Sequence, residues 1–382
     1  MTTVLYILHE DDRYGAPRAL LELIQDLKET KCVHPIVLTH KKDDNYRFCC
    51  ENGIEVYSTG HINIVCGEKA DLKSWLKWIL KTVLNRVFDV VALIKLRKVD
   101  LQRVDIIHSN VSILSLGVLL KRRLHVPLII HLREPAFIVD QYLFSRWHLI
   151  DFLNKSANCF VAISQFSSEQ WSKKGILRKK IKVIYDGDLL ADNSSSFNKN
   201  DETVVNIIVV GSLCAQKNQL FILKAVSRMS SIDKRRLCVK FVGDGTEEYR
   251  EKLRDAAIDL EIDDIVSFEG YTDNVEKYYN KSDVGIIASI DESFGRVTVE
   301  YLAKGLIVLA SNSGANPEII EDGKSGYIFE LDNPDSLAKL LSTVVNQITD
   351  LESMRKNAIE RAKLFSVRES ANNMMNLYNL IK

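Results

Sequence analysis

The chain lacks any apolar run of transmembrane length, so no helical membrane span is expected. It also lacks a charge of one sign. Lysine plus arginine number 51 and aspartate plus glutamate 51, so no overall field draws the protein to nucleic acid. The seven cysteines are scattered, and only Cys49 and Cys50 stand together. Their odd count and the absence of metal-ligand spacing argue against a disulfide framework and a cysteine-bound metal, and suit a reduced, cytosolic compartment. The opening residues Met1 to Glu10 read as one short strand, too short and too soon charged for a secretion signal. No strand is followed by Gly-x-Gly-x-x-Gly, which counts against a dinucleotide fingerprint. No short repeat is evident.

What the chain does have is a long alternation of apolar strands and amphipathic helices. Its 382 residues are enough for two domains, each with a core of its own. The first half shows strands at Val4 to Leu8, Ile36 to Thr39, Ile106 to His108, Leu128 to His131 and Cys159 to Ile163, with Lys182 to Tyr185 as its last. A polar, turn-rich segment at 191–203 reads as a linker between a domain at 1–190 and one at 204–365. The rhythm restarts at Val204 to Val210. A last helix is read within 366–382. Such βαβ order implies an α/β fold with a parallel sheet in each half.

The densest chemistry lies at Asp291-Glu292-Ser293-Phe294-Gly295-Arg296-Val297-Thr298-Val299-Glu300. An apolar strand precedes it and a helix follows, so it falls at the carboxyl end of a strand, where α/β sheets bind ligands. A helix start offers unpaired N–H groups and partial positive charge to a phosphate. The carboxylates of Glu292 and Glu300 suit hydroxyls instead, so the implied ligand is a phosphate that carries sugars. Two glutamates eight apart are weak evidence alone, since a helical glutamate is usually a solvated one. Gly305, Ser313-Gly314, Pro317-Glu318, Asp322-Gly323 and Gly326-Tyr327 continue a glycine-punctuated block.

This block, from Glu292 to Phe329, resembles the retaining glycosyltransferases of family 4, which have the GT-B fold: two Rossmann-like doubly wound domains facing across a cleft. The resemblance implies transfer of a hexosyl or N-acetylhexosaminyl group from a nucleotide diphosphate sugar to a hydroxyl, with no cofactor and no metal. Consistent with that, no Asp-x-Asp pair stands at a strand end; Asp11-Asp12, Asp43-Asp44 and Asp263-Asp264 read as surface pairs. Many members build bacterial surface polysaccharides or glycolipids.

The resemblance also assigns roles. His131 would lie by the transferred sugar, with Arg133 or Glu134 orienting groups there. His108 has a similar strand-end setting and is the weaker candidate. Lys217, read as opening a helix after Gly211-Ser212, would grip the diphosphate, although a single lysine is more often a surface residue. Ser212 stands where an arginine is common, a departure that Arg296 or backbone amides would offset. Gly15 and Ala16, in Tyr14-Gly15-Ala16-Pro17, would lie against the donor, with one glycine where two are usual. Tyr271 and Thr272 would line the base, and ordinary turn duty explains them equally well. Glu292 would hold sugar hydroxyls, Glu300 the ribose, and Phe294, Gly295, Arg296 and Val297 the phosphates. The catalytic set is therefore His131, Lys217 and Glu292.

One segment departs from a plain Rossmann layout. From Lys69 to Arg103, Trp75, Trp78 and several aliphatics recur at helical spacing, with Lys73, Lys77 and Lys81 on another face. Such a helix suits an anionic membrane surface on the inner side of the cell membrane, and with it a lipid-linked saccharide acceptor. A core helix with a solvated lysine face fits the same pattern. Two other functions stay open: a nucleotide-sugar epimerase, and a non-catalytic nucleotide-sugar-binding subunit of a transferase.

Overall fold

The computed structural model describes residues 1–9, 15–61, 72–137, 146–189 and 204–382. The chain divides into two compact units: Met1–Gly187 with Val367–Lys382, and Asp188–Ser366. The expected linker at 191–203, and Tyr14, lie outside the described residues.

The first unit holds β1 (Thr2–Ile7), β2 (Val33–Thr39), β3 (Glu55–Ser58), β4 (Ile106–Ser109), β5 (Leu128–Leu132), β6 (Cys159–Ala162) and β7 (Ile181–Val183). They form one sheet in the order β3-β2-β1-β4-β5-β6-β7, and each pairing is parallel. β4, β5 and β6 are buried along their whole length. Such strands read as continuous apolar runs because helices cover both sheet faces. One face packs Leu5, Ile7, Ile107, Ile130 and Phe160, and the other Val4, Tyr6, Ile106, Ile129 and Val161. The alternation is the two-residue period of a strand. The C-terminal helix Val367–Ile381 lies on this second face beside the helix Ala16–Glu29, with Met374, Leu377 and Tyr378 in the same cluster. Arg368 Nη2 meets Asp26 at 3.1 Å, and Lys382 Nζ meets Asp105 at 3.0 Å.

The second unit holds β8 (Val205–Val210), β9 (Leu237–Val242), β10 (Val266–Gly270), β11 (Val284–Ile287), β12 (Ile307–Ser311) and β13 (Tyr327–Phe329). Their order is β10-β9-β8-β11-β12-β13, again parallel throughout. In both sheets the chain starts centrally, winds to one edge, then returns to wind to the other. The strand order therefore reverses between β1 and β4, and between β8 and β11. These reversals open crevices at the carboxyl ends, where doubly wound sheets bind ligands.

Two local readings differ from the structure. β3 was not foreseen, because its four residues are all half-buried and carry no apolar run. Lys217 does not open a helix. It ends a single 3-10 turn, Ala215–Lys217, and Asn218 at φ 56° separates that turn from the helix Gln219–Ser227.

Candidate functional site

The second sheet sets its chemistry at the β8/β11 reversal. β8 runs into Gly211 and the 3-10 turn, which carries Lys217. β11 runs into the loop that carries Glu292. Lys217 Nζ donates to Glu292 Oε2 at 2.5 Å, so an ion pair joins the two loops. The two loops are also joined by backbone, Ile290 N–H to Gln216 O at 2.9 Å. Both charged side chains are part-exposed. A pair of this kind is worth about 1 kcal/mol or less, so a ligand of higher charge can separate it. Asp291 beside it titrates above the usual aspartate range, first because of burial and then because of Glu292.

The Glu292 backbone is held from below. Ala315 N–H donates to Glu292 O at 2.9 Å. Gly314, at φ +64°, passes so close that a Cβ there would lie 2.4 Å from Glu292 O. Only glycine meets both demands. Gly295, at φ 92°, then turns the chain into the helix Arg296–Ala303, which has no side-chain cap. Its first N–H groups are those that a phosphate would satisfy. Inside that start, Thr298 Oγ1 donates to Asn316 Oδ1 at 3.0 Å and Asn316 Nδ2 to Ser311 Oγ at 3.2 Å. Along the helix Thr298, Val299, Tyr301 and Leu302 are buried, which leaves Glu300 half-buried at the edge. Tyr301 Oη accepts from Val210 N–H at 2.8 Å, tying the helix to β8. Tyr279 Oη donates to Glu300 Oε2. Burial and the Glu300 charge push the Tyr279 hydroxyl far above its usual range, so it stays a donor.

The other residues expected here are placed as follows. Ser212 is exposed, and its carbonyl accepts from Gln219 Nε2 at 2.9 Å. Arg296 reaches Asp188, Nη2 to Oδ1 at 3.2 Å, and Val297 is half-buried. Phe294 is buried, its ring 6.0 Å from that of Phe365. Tyr271 is exposed past β10 and donates to Asp273 at 2.5 Å; Thr272 Oγ1 accepts from Asn274 N–H at 3.1 Å.

Gly15, Ala16 and His131 belong to the first unit. Gly15, at φ 63°, precedes the helix Ala16–Glu29, and Asn110 Nδ2 past β4 donates to Ala16 O at 3.3 Å. His131 is buried near the end of β5, and burial, then Arg133 and His108, hold it well below the usual histidine range. Arg133 pairs with Asp186. Glu134 Oε1 accepts from Ser112 N–H at 2.7 Å and from the Ser112 hydroxyl, while burial raises its carboxyl to about 6. Among the described residues no three His, Cys, Asp or Glu side chains converge as a metal site requires.

The basic segment forms the helix Leu72–Lys95; Lys69 lies outside the described residues. Leu76, Leu80, Val83, Val87, Val90 and Ile94 are each at least half exposed. Their spacing of four and three puts them on one face. Among the described side chains of this helix only Asp89 and Ala92 are buried. No helix of the described residues is long and apolar enough to cross a membrane.

Two family models match the chain. Glycosyl transferases group 1 covers residues 191–363, and Glycosyltransferase Family 4 covers residues 15–187. The chain belongs to the GT-B glycosyltransferases of family 4. Its fold is that of HepE from Anabaena, solved with UDP: TM-score 0.79, 18% identity, 100% of both chains covered. HepE is also solved with UDP-glucose. A second structure of the same fold is the lipopolysaccharide outer core galactosyltransferase WaaB, with TM-score 0.74, 16% identity, and 100% of this chain and 99% of that one covered. In sequence, this glycosyltransferase is 28% identical over 200 residues to an uncharacterized 41.2 kDa protein in the cps region of Klebsiella pneumoniae. That match takes in 50% of this chain and about half, 53%, of the relative's length.

Several residues around this candidate site were invisible to sequence reasoning. Tyr279, Asp188 and Asn316 carry no motif of their own, and each acts through a contact made only by folding. Asn316 had the nearest thing to a signal, since it precedes Pro317 in the glycine-punctuated block.

Proposed function

We propose that the chain transfers a hexosyl or N-acetylhexosaminyl group from a nucleotide diphosphate sugar to a hydroxyl, with retention of configuration. The Lys217–Glu292 ion pair at the β8/β11 reversal, beside the open amides of the helix Arg296–Ala303, carries this reading. A diphosphate entering there takes the Lys217 ammonium and the helix amides. Glu292 is then released to accept from sugar hydroxyls. Glu300, held on one oxygen by Tyr279, keeps the other for the ribose. As the glycosidic bond breaks, charge grows on the leaving diphosphate. Donors fixed before the reaction stabilise that charge without reorganising. The complexes of HepE with UDP and UDP-glucose support a uridine diphosphate sugar as the first donor to try.

The exposed face of the helix Leu72–Lys95 supports docking on an anionic lipid bilayer, at the inner face of the cell membrane. Lys73, Lys77, Lys81, Arg86 and Lys95 lie on this helix, and Asp89, buried against Ser115, is its single acid. A second copy laid on the face would set like charges together, whereas anionic headgroups complement them. Trp75, about half exposed, suits the interfacial layer. Docking there fits a lipid-linked saccharide acceptor and a role in polysaccharide or glycolipid assembly.

A screen of nucleotide sugars for turnover tests the reading, with Lys217→Ala and Glu292→Ala as probes. Each substitution should cut turnover about 10²–10³-fold, as loss of one charge-stabilising group does, and leave the fold intact. Turnover unchanged in either variant removes that residue from the mechanism.

A further inference from the structure

The first unit contains a buried hydrogen-bonded chain that the proposed function does not use. Tyr6 sits on β1, His108 on β4, His131 on β5 and Tyr378 on the C-terminal helix, and all four are at most 1% exposed. The Tyr6 and Tyr378 hydroxyls are 3.1 Å apart. Tyr378 Oη lies 2.7 Å from His108 Nδ1, and His108 Nε2 lies 3.1 Å from His131 Nδ1. At the end of the chain, His131 Nε2 is buried with no hydrogen-bond partner among the described residues.

Burial keeps both imidazoles neutral, with His108 pushed down to about 3. A neutral imidazole has one donor and one acceptor nitrogen. The protons can therefore run along the chain in either of two directions. Arg133 selects between them. A guanidinium only donates, and its Nη2 faces His131 Nδ1 at 3.5 Å. A lone pair on Nδ1 is attracted to that charge, and an N–H there would be repelled. His131 Nδ1 is thus the acceptor. His108 Nε2 must then donate to it, and His108 Nδ1 must accept from Tyr378, whose single hydroxyl proton turns to His108 and not to Tyr6. The last proton falls on His131 Nε2.

We propose that Tyr378 and His108 are positioning residues that lock His131 in its Nε2–H form, so that His131 offers a hydrogen-bond donor to a substrate oxygen and does not act as a base. The lock follows from the geometry of the first unit alone. Its use on a sugar oxygen rests on the transfer reading above. The C-terminal helix thereby reaches the reaction through two imidazoles.

Ring ¹⁵N spectra of the full chain without ligand test the lock. They should show His131 and His108 both protonated at Nε2. Protonation of His131 at Nδ1 overturns the proposal. Tyr378→Phe keeps the buried ring and removes only the hydroxyl. It should give His131 a mixture of tautomers and lower sugar turnover about tenfold, the effect of one hydrogen bond. His131→Gln restores an amide N–H near the Nε2 position without a tautomer to set. In that background Tyr378→Phe should cost nothing further. The same tenfold loss there would mark Tyr378 as merely structural and overturn the proposal. Nε2–H on His131 in a chain that turns over no sugar leaves the lock standing and removes the transfer reading alone.

Discussion

Replacing Gly314 by alanine should disable the site from behind, without touching any side chain that meets substrate. The residue sits at φ +64°, and the added Cβ would lie 2.4 Å from Glu292 O and 2.6 Å from Glu292 N. Both are backbone atoms, so nothing can rotate aside. Two costs arise. The left-handed conformation costs an alanine about 1–2 kcal/mol. Displacing the packed Glu292 loop adds about 1–3 kcal/mol, the range for overpacking. Gly323→Ala separates the two. Gly323 has nearly the same conformation, φ +73°, and nothing within 4 Å of the added atom. It should show only the first cost. The chain's four tryptophans, at positions 75, 78, 147 and 171, all precede the second unit, so their fluorescence cannot report on this loop. Hydrogen exchange can. Gly314→Ala should speed exchange across residues 288–316 and lower sugar turnover about 10²-fold, the usual result of moving a catalytic group by about 1 Å. Gly323→Ala should keep turnover near that of the unmodified chain. Equal exchange and equal turnover in the two variants would refute the argument that close approach to Glu292 is what demands glycine at 314.

Replacing Lys73, Lys77 and Lys81 together by glutamate should abolish sedimentation with anionic phospholipid vesicles and leave turnover of a soluble acceptor unchanged. Equal vesicle binding, or a unit-sized loss of mass showing that the face had joined two copies, would refute docking on lipid. Glu134 should give the first unit a pH-dependent stability. Burial raises its folded-state value from 4.5 to about 6. Its contribution is therefore fully present below pH 4.5 and is lost as pH rises through 6, a change of about 2 kcal/mol. Trp171 Nε1 donates to Glu134 O at 3.2 Å, so denaturation followed by tryptophan fluorescence reads this unit. Glu134→Gln should flatten the slope between pH 4.5 and 6, and an unchanged slope would assign the dependence to another group.

The legible parts of the fold share one property: they are local. A buried parallel strand is an apolar run, and Val284–Ile287 or Ile307–Ser311 can be read without knowing their neighbours. The glycine-punctuated block after Asp291 is likewise contiguous, and it carries both candidate carboxylates. β3 escaped because half-buried residues leave no such run. Lys217 was identified as a candidate but misplaced by part of a turn, because Asn218 in the left-handed region has no strong local signature.

By itself, the order of residues determined the α/β class and the strand ends at which chemistry could gather. Folding alone decided which groups would meet. Lys217 finds Glu292 across 75 residues, Tyr279 finds Glu300 across 21, and Tyr378 finds His108 across 270. The physical reason lies in parallel topology. Each strand must return by a crossover before it can pair, so strand ends that face one another in space are far apart in the chain. Backbone pattern records the strand, and only packing records its neighbour.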